Sequence, residues 1–246
     1  MAALLEIKDL TRRFGGLLAN SDVTMTLERG EIRGLIGPNG AGKTTLVNLI
    51  TGVHPPSAGD IRLAGESLGG LKPHEIAQKG LLRSFQVCRL FGNLTVFDNL
   101  LLPYMASGRG RPTAIAEGIA RAHEFLALTK LTKLAALPAK GLSGGQRALL
   151  QVCCGFMVPG LKCYVLDEPF AGINPIIKDA IIELILHENR ERGVTFLIVS
   201  HEMTVMRRLC HKITVMIAGR VVAEGTLDEV AAREDVIAAY LGKALA

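Results

Sequence analysis

The apolar run Ile32-Arg-Gly-Leu-Ile36 leads directly into Gly37-Pro-Asn-Gly-Ala-Gly42-Lys43-Thr44-Thr45, and the helical pattern of Leu46 to Thr51 follows. Glycines at 37, 40 and 42 let the backbone turn its N–H groups inward, and a helix starting there adds a positive N-terminal end. Strand, glycine loop and helix in this order make a phosphate-binding loop, which belongs at the C-terminal edge of a parallel α/β sheet. In such a loop Lys43 bridges the β- and γ-phosphates of a nucleotide and the Thr44 hydroxyl ligates Mg²⁺. Gly37, Pro38, Asn39, Gly40, Ala41, Gly42 and Thr45 complete the cradle. A mere glycine-rich turn is the bland alternative, and the flanking strand and helix count against it.

Further strands of the sheet are readable. Cys163 to Leu166, Thr195 to Val199 and Ile213 to Ile217 are aliphatic or β-branched almost throughout, as strands covered on both faces are. Between the first two, Pro175 to Arg192 has helical spacing, opened by Asn174-Pro175 and stopped by Gly193. Leu4 to Leu10 and Asp22 to Leu27 alternate, and Val221 to Glu224 follows the turn Ala218-Gly219-Arg220, so an antiparallel flank is expected. From Val87 to Lys140 strand signals vanish, and Val96 to Met105 and Ala114 to Leu128 read as helices joined by the loop Ser107 to Pro112. The predicted division is a nucleotide-binding core with its flank (1–86 and 141–246) and an inserted helical lobe (87–140) with a small core of its own.

With 246 residues the chain suits one large domain, and its hydrophobic share is 49% although only 4% is aromatic. The most apolar stretches, Leu94 to Met105 and Ala148 to Leu161, are broken by Asp98, Asn99, Gln151, Gly155 and Pro159, so no membrane span is expected. Glu6, Lys8 and Asp9 interrupt the N-terminal segment, which argues against an export signal. Cys88, Cys153, Cys154, Cys163 and Cys210 lack zinc-ligand spacing and read as small buried hydrophobes. The net charge of +5 favours anionic partners, but scattered basic residues and scarce aromatics speak against nucleic acid.

The strand Cys163 to Leu166 ends in Asp167-Glu168-Pro169. Alone, two acids after an apolar run are most simply a solvated strand end. Beside a phosphate loop they read as the metal and base positions of a P-loop ATPase, Asp167 for Mg²⁺ and Glu168 to polarise a water. Leu142-Ser143-Gly144-Gly145-Gln146 is a second anion-binding turn at a helix start, and one nucleotide does not easily need two such cradles from one chain.

On these motifs the chain resembles the ATP-binding-cassette (ABC) ATPases. The resemblance covers essentially the whole chain and implies an α/β P-loop NTPase fold: a RecA-like core, an N-terminal antiparallel β subdomain and an inserted α-helical subdomain. It implies that Ser143, Gly144, Gly145 and Gln146 of one subunit close over ATP held by the phosphate loop of another. Gln86, in Arg83-Ser-Phe-Gln86, resembles the glutamine that contacts Mg²⁺ and the attacking water. His201 resembles the switch histidine at the γ-phosphate, and Phe14 the aromatic that stacks on adenine. By itself, a histidine after a strand or a phenylalanine near the N-terminus is more often structural.

Phe14-Gly-Gly, Arg89-Leu-Phe-Gly-Asn-Leu-Thr-Val, Ala171-Gly-Ile-Asn-Pro175 and the ending from Val222 to Gly242 look like the ATPase subunits of branched-chain amino-acid importers. Two features depart from that pattern: a shorter helical lobe, and a segment Arg147 to Gly160 without the usual pair of arginines. The resemblance implies ATP and Mg²⁺ as cofactors and a homodimer or a heterodimer with a sister ATPase. It implies transmembrane permease subunits, indirectly a substrate-binding protein, and a place at the cytoplasmic face of the membrane. A lipid or lipopolysaccharide exporter, another amino-acid or urea-type importer, and a soluble non-transport ABC protein stay open as alternatives.

Overall fold

The computed structural model describes residues 3–84, 90–106 and 112–241. The chain opens with β1 (Ala3–Phe14), β2 (Leu17–Glu28), β3 (Ile32–Ile36) and α1 (Lys43–Ile50). β4 (Ala58–Leu63), β5 (Glu66–Ser67), α2 (Pro73–Gln78) and β6 (Leu81–Arg83) come next. Three helices, α3 (Val96–Ala106), α4 (Pro112–Leu128) and α5 (Gly144–Phe156), precede β7 (Cys163–Asp167), α6 (Pro175–Arg192) and β8 (Thr195–Val199). The C-terminal part runs through α7 (Met203–Leu209), β9 (Lys212–Ile217), β10 (Arg220–Gly225), α8 (Leu227–Ala231) and α9 (Glu234–Leu241).

Six strands form a sheet of order β10-β9-β3-β8-β7-β6, parallel except for the edge strand β10. The antiparallel flank is a second sheet, β2-β1-β4-β5. Every residue of β3, β7 and β8 is buried, and the two-residue period of a strand sorts their side chains between two cores. Ile32, Ile36, Tyr164, Leu166, Phe196 and Ile198 join the apolar cluster of α5 and α6. Leu35, Cys163, Val165, Leu197 and Val199 join the cluster built by α1 and the antiparallel sheet. The solid aliphatic strands of the sequence follow from this double burial.

The helices of 96–128 do not have the separate core expected of them. Val96, Leu100, Phe125 and Leu126 belong to the same cluster as Leu149, Leu150 and Phe156 of α5 and Tyr164 and Phe196 of the sheet. The Phe156 ring lies 5.9 Å from Phe125, 5.4 Å from Tyr164 and 6.0 Å from Phe196, so it joins lobe and sheet. Arg121 of α4 adds a polar tie, donating to the Phe156 carbonyl at 2.6 Å and to Glu188 of α6 at 2.7 Å.

The unusual segment Arg147 to Gly160 fits this packing. A Cβ at position 155 would fall 2.1 Å from the Tyr164 hydroxyl, so glycine is required where α5 crosses the ring. Cys153 is buried beside it, and the Cys154 Sγ lies 3.2 Å from the Asn99 carbonyl oxygen. Burial pushes the Cys163 and Cys210 thiols up to about 12, which suits small core hydrophobes. Cys88 lies outside the described residues.

Candidate active site

β3 lies between β8 and β9 in the sheet, and the glycine loop leaves its C-terminal end. α1 begins at Lys43, and Gly42 at its N-cap has φ 92° and ψ 4°. No side chain caps this helix start, and the leading N–H groups of a helix are donors suited to an anion. A Cβ at 42 would stand 2.6 Å from the Ala19 carbonyl oxygen, so the loop can pack on β2 only with glycine there. Lys43 is buried and folds back on the loop, its Nζ donating to the carbonyls of Gly37 at 2.6 Å and Pro38 at 3.1 Å.

A cleft of about 630 Å³ opens beside this loop. It is lined by Leu17, Leu18 and Ala19 of the hairpin, by residues 39–45, by Asp167, Glu168 and His201, and by Gly219. The acids and the histidine meet because β7 and β8 run parallel with Asp167 beside Val199, so both strand ends deliver side chains to one edge. Asp167 is buried, and Arg83 Nη2 donates to its Oδ2 at 2.8 Å. Arg83 Nη1 also donates to Asn48 Oδ1 on α1.

Glu168 takes a left-handed φ of 51°, uncommon for a side chain of its size and typical of strained functional positions. Its Oε1 lies 3.1 Å from His201 Nε2. Burial pushes the Glu168 carboxyl above the ordinary carboxylate range, with His201 pulling the other way. A raised carboxyl is a stronger base once ionised, which is the property a water-activating group needs.

The remaining predicted residues are distributed differently. Gly37 and Pro38 serve through their carbonyls and do not line the cleft. Ser143 caps α5 in a reciprocal box, its Oγ accepting the Gln146 N–H at 3.3 Å and its own N–H reaching Gln146 Oε1 at 2.9 Å. Neither these two residues nor Gly144 and Gly145 between them line the cleft of their own chain. Phe14 does not line it either: at the hairpin tip its ring stands edge-on to His54 at 5.4 Å and under the Arg12 guanidinium at 4.5 Å. Gln86 lies outside the described residues. Sequence reasoning missed Arg83, whose only signal was its place in the motif read for Gln86.

A family model described as ABC transporter matches residues 20–171. The high-affinity branched-chain amino acid transport ATP-binding protein BraF of Pseudomonas aeruginosa is 38% identical, over 98% of each chain. The chain belongs to the ABC transporter family, as an ATPase cassette. The LivG protein of Salmonella typhimurium, named likewise for branched-chain amino acid transport, is also 38% identical over 98% of both chains. A second model, described as branched-chain amino acid ATP-binding cassette transporter, matches the tail of the cassette at 220–246. Among solved structures, an ABC transporter cassette in its ADP conformation is 29% identical with a TM-score of 0.86, covering 98% of this chain and 100% of that one. A dimeric cassette bound to ADP and Pi is 25% identical with a TM-score of 0.79, covering 91% and 99%.

The cassette's residues fit both a nucleotide and its metal. The uncapped α1 start and the Lys43 ammonium supply donors for phosphate oxygens, and the carbonyls that hold Lys43 can release it to them. No cluster of three or more His, Cys, Asp or Glu suited to a metal exists among the described residues. A Mg²⁺ that arrives with substrate phosphates takes one or two protein oxygens and keeps waters. Thr44 and Asp167 would be those protein ligands. Among the described residues no helix is long and apolar enough to cross a membrane.

Proposed function

We propose that the cassette hydrolyses ATP to power import of branched-chain amino acids, acting in a head-to-tail dimer with two ATP between the subunits. One observation carries the dimer: the phosphate loop, acid pair and His201 converge on one cleft, while the Ser143 to Gln146 turn stands outside it. A second subunit facing the first would bring that turn over the cleft. Solved dimeric relatives support this arrangement, and the names of BraF and LivG with the match at 220–246 support the amino-acid cargo.

Within the site, Lys43 and residues 37–45 hold the phosphates, with Thr44, Asp167 and Gln86 as the metal-side residues. Bound Mg²⁺ would supply charge neutralisation to the phosphates. Glu168 accepts the proton of the attacking water, and His201 holds the Glu168 carboxylate and the end of the nucleotide. Phe14 contributes to the adenine side by turning from its His54 contact. The core (1–86 and 141–246) performs this chemistry, and the 87–140 lobe meets permease subunits at the inner face of the membrane, which a substrate-binding protein serves from the other side.

The cargo is tested by recovering the tagged cassette from membranes with its permease and binding-protein partners. Calorimetry of that binding protein is expected to show tight binding of leucine, isoleucine or valine. Binding of a lipid or an unrelated solute instead would replace the cargo while leaving the ATPase reading intact.

A further inference from the structure

Arg83 ends β6, the edge strand beside β7, and its side chain is only 12% exposed. The parallel register sets Arg83 beside Val165, so the edge strand stops just short of the acid pair. From there the guanidinium forks. Nη2 donates to Asp167 Oδ2 at 2.8 Å, and Nη1 donates to Asn48 Oδ1 on the helix that starts at Lys43. The next residue, Ser84, is buried, and its Oγ accepts the Asp167 backbone N–H at 3.1 Å. Arg83 at the end of the neighbouring strand and Ser84 just after it therefore grip Asp167 by one carboxylate oxygen and by its backbone.

An ionised carboxylate with no cation beside it offers its oxygens to a divalent metal, and a guanidinium at hydrogen-bond distance competes for the same oxygens. Fixing Oδ2 also fixes the direction of Oδ1. We propose that Arg83 is a positioning residue for the metal site: it keeps Asp167 neutralised so that no divalent cation settles there before nucleotide, and it keeps the carboxylate oriented for the metal that phosphates bring. Asn48 makes this hold part of the phosphate-loop helix, so the loop and the acid share one anchor. This inference rests on the reading of Asp167 as a metal-side residue.

The test is titration of Mn²⁺ into the nucleotide-free full chain, with free Mn²⁺ followed by electron paramagnetic resonance. Wild type and Arg83→Lys, which keeps the charge, are expected to bind weakly. Arg83→Gln is expected to bind about tenfold or more tightly, and adding Asp167→Asn to it is expected to abolish the gain. Equal binding by wild type and Arg83→Gln, or a gain that survives Asp167→Asn, would overturn the inference. Should Arg83→Gln fail to fold, Arg83→Lys carries the test through the Mg²⁺ dependence of hydrolysis. Its single ammonium cannot serve Asp167 and Asn48 together, so half-saturating Mg²⁺ should rise several-fold, and an unchanged value would refute the positioning role. Failure of the underlying reading shows separately, as Asp167→Asn leaving Mg²⁺-dependent hydrolysis by the wild-type background unaltered.

Discussion

Glu168 Oε1 and His201 Nε2 lie 3.1 Å apart at the ends of two neighbouring parallel strands. Glu168 also carries a left-handed φ, and burial holds its carboxyl above the ordinary range. A base so placed acts only when ionised. Hydrolysis is therefore expected to fall as pH drops through the raised value, so the acid limb of the kcat profile should lie above 4.5, the ordinary glutamate value. Glu168→Gln should reduce kcat by about 10²–10⁴ while leaving ATP binding in place. Steady-state hydrolysis against pH with parallel nucleotide-binding titrations checks both, and near-normal turnover in the variant would remove Glu168 from the base role.

Lys43 rests on the Gly37 and Pro38 carbonyls, and we expect a bound phosphate to take it over. Lys43→Ala removes a charge-assisted donor of about 1.5–3 kcal/mol, so ATP affinity should fall by about ten- to a hundredfold. Equilibrium binding of a fluorescent ATP analogue measures this directly, and unchanged affinity would place the phosphates elsewhere.

Arg121 and Glu188 form a buried pair at 2.7 Å, with Glu188 fully enclosed. Arg121→Met leaves the carboxylate with the longer 3.4 Å contact to Arg192 and should cost about 3 kcal/mol or less in denaturant unfolding, whereas Arg121→Met with Glu188→Leu should recover much of it. The pH dependence has a definite sign. Burial raises the folded Glu188 above 4.5 and Arg121 opposes the rise, so the native state holds a proton that the unfolded chain has released. Stability contributed by this group is present below about 4.5 and is lost as pH climbs through the raised value, over a wider pH range in Arg121→Met.

Gly155→Ala would press a methyl against Tyr164, 2.1 Å from its hydroxyl oxygen and 2.4 Å from the ring carbon that bears it. Overpacking of this kind costs about 1–3 kcal/mol. A matching drop in the unfolding midpoint is expected, and a variant as stable as wild type would show that α5 shifts freely on the sheet.

Much of this architecture was legible in the sequence. β3, β7 and β8 declare themselves because burial on both faces leaves no polar alternation, and the helix Pro175–Arg192 carries its own start and stop residues. Residues 58–83 were not readable: β4 contains Gly59 and Asp60, β5 is two residues long and β6 three, so their strand character comes from sheet partners. The shared core also escaped, since Phe125, Phe156 and Phe196 meet only through tertiary packing. In the site, the contiguous loop and acid pair were visible as motifs. The Arg83 to Asp167 pairing joins residues far apart in the chain and leaves no local signal.

The composite active site is the central claim, and mixing two crippled cassettes tests it most directly. A Lys43→Ala chain lacks its phosphate grip and a Ser143→Arg chain lacks its signature turn, so each is expected to be inactive alone. In a heterodimer one site combines the intact loop of one chain with the intact turn of the other, and ATP hydrolysis should reappear on mixing. Absence of any recovery, with heterodimers shown to form by differential tagging, would contradict the head-to-tail sandwich.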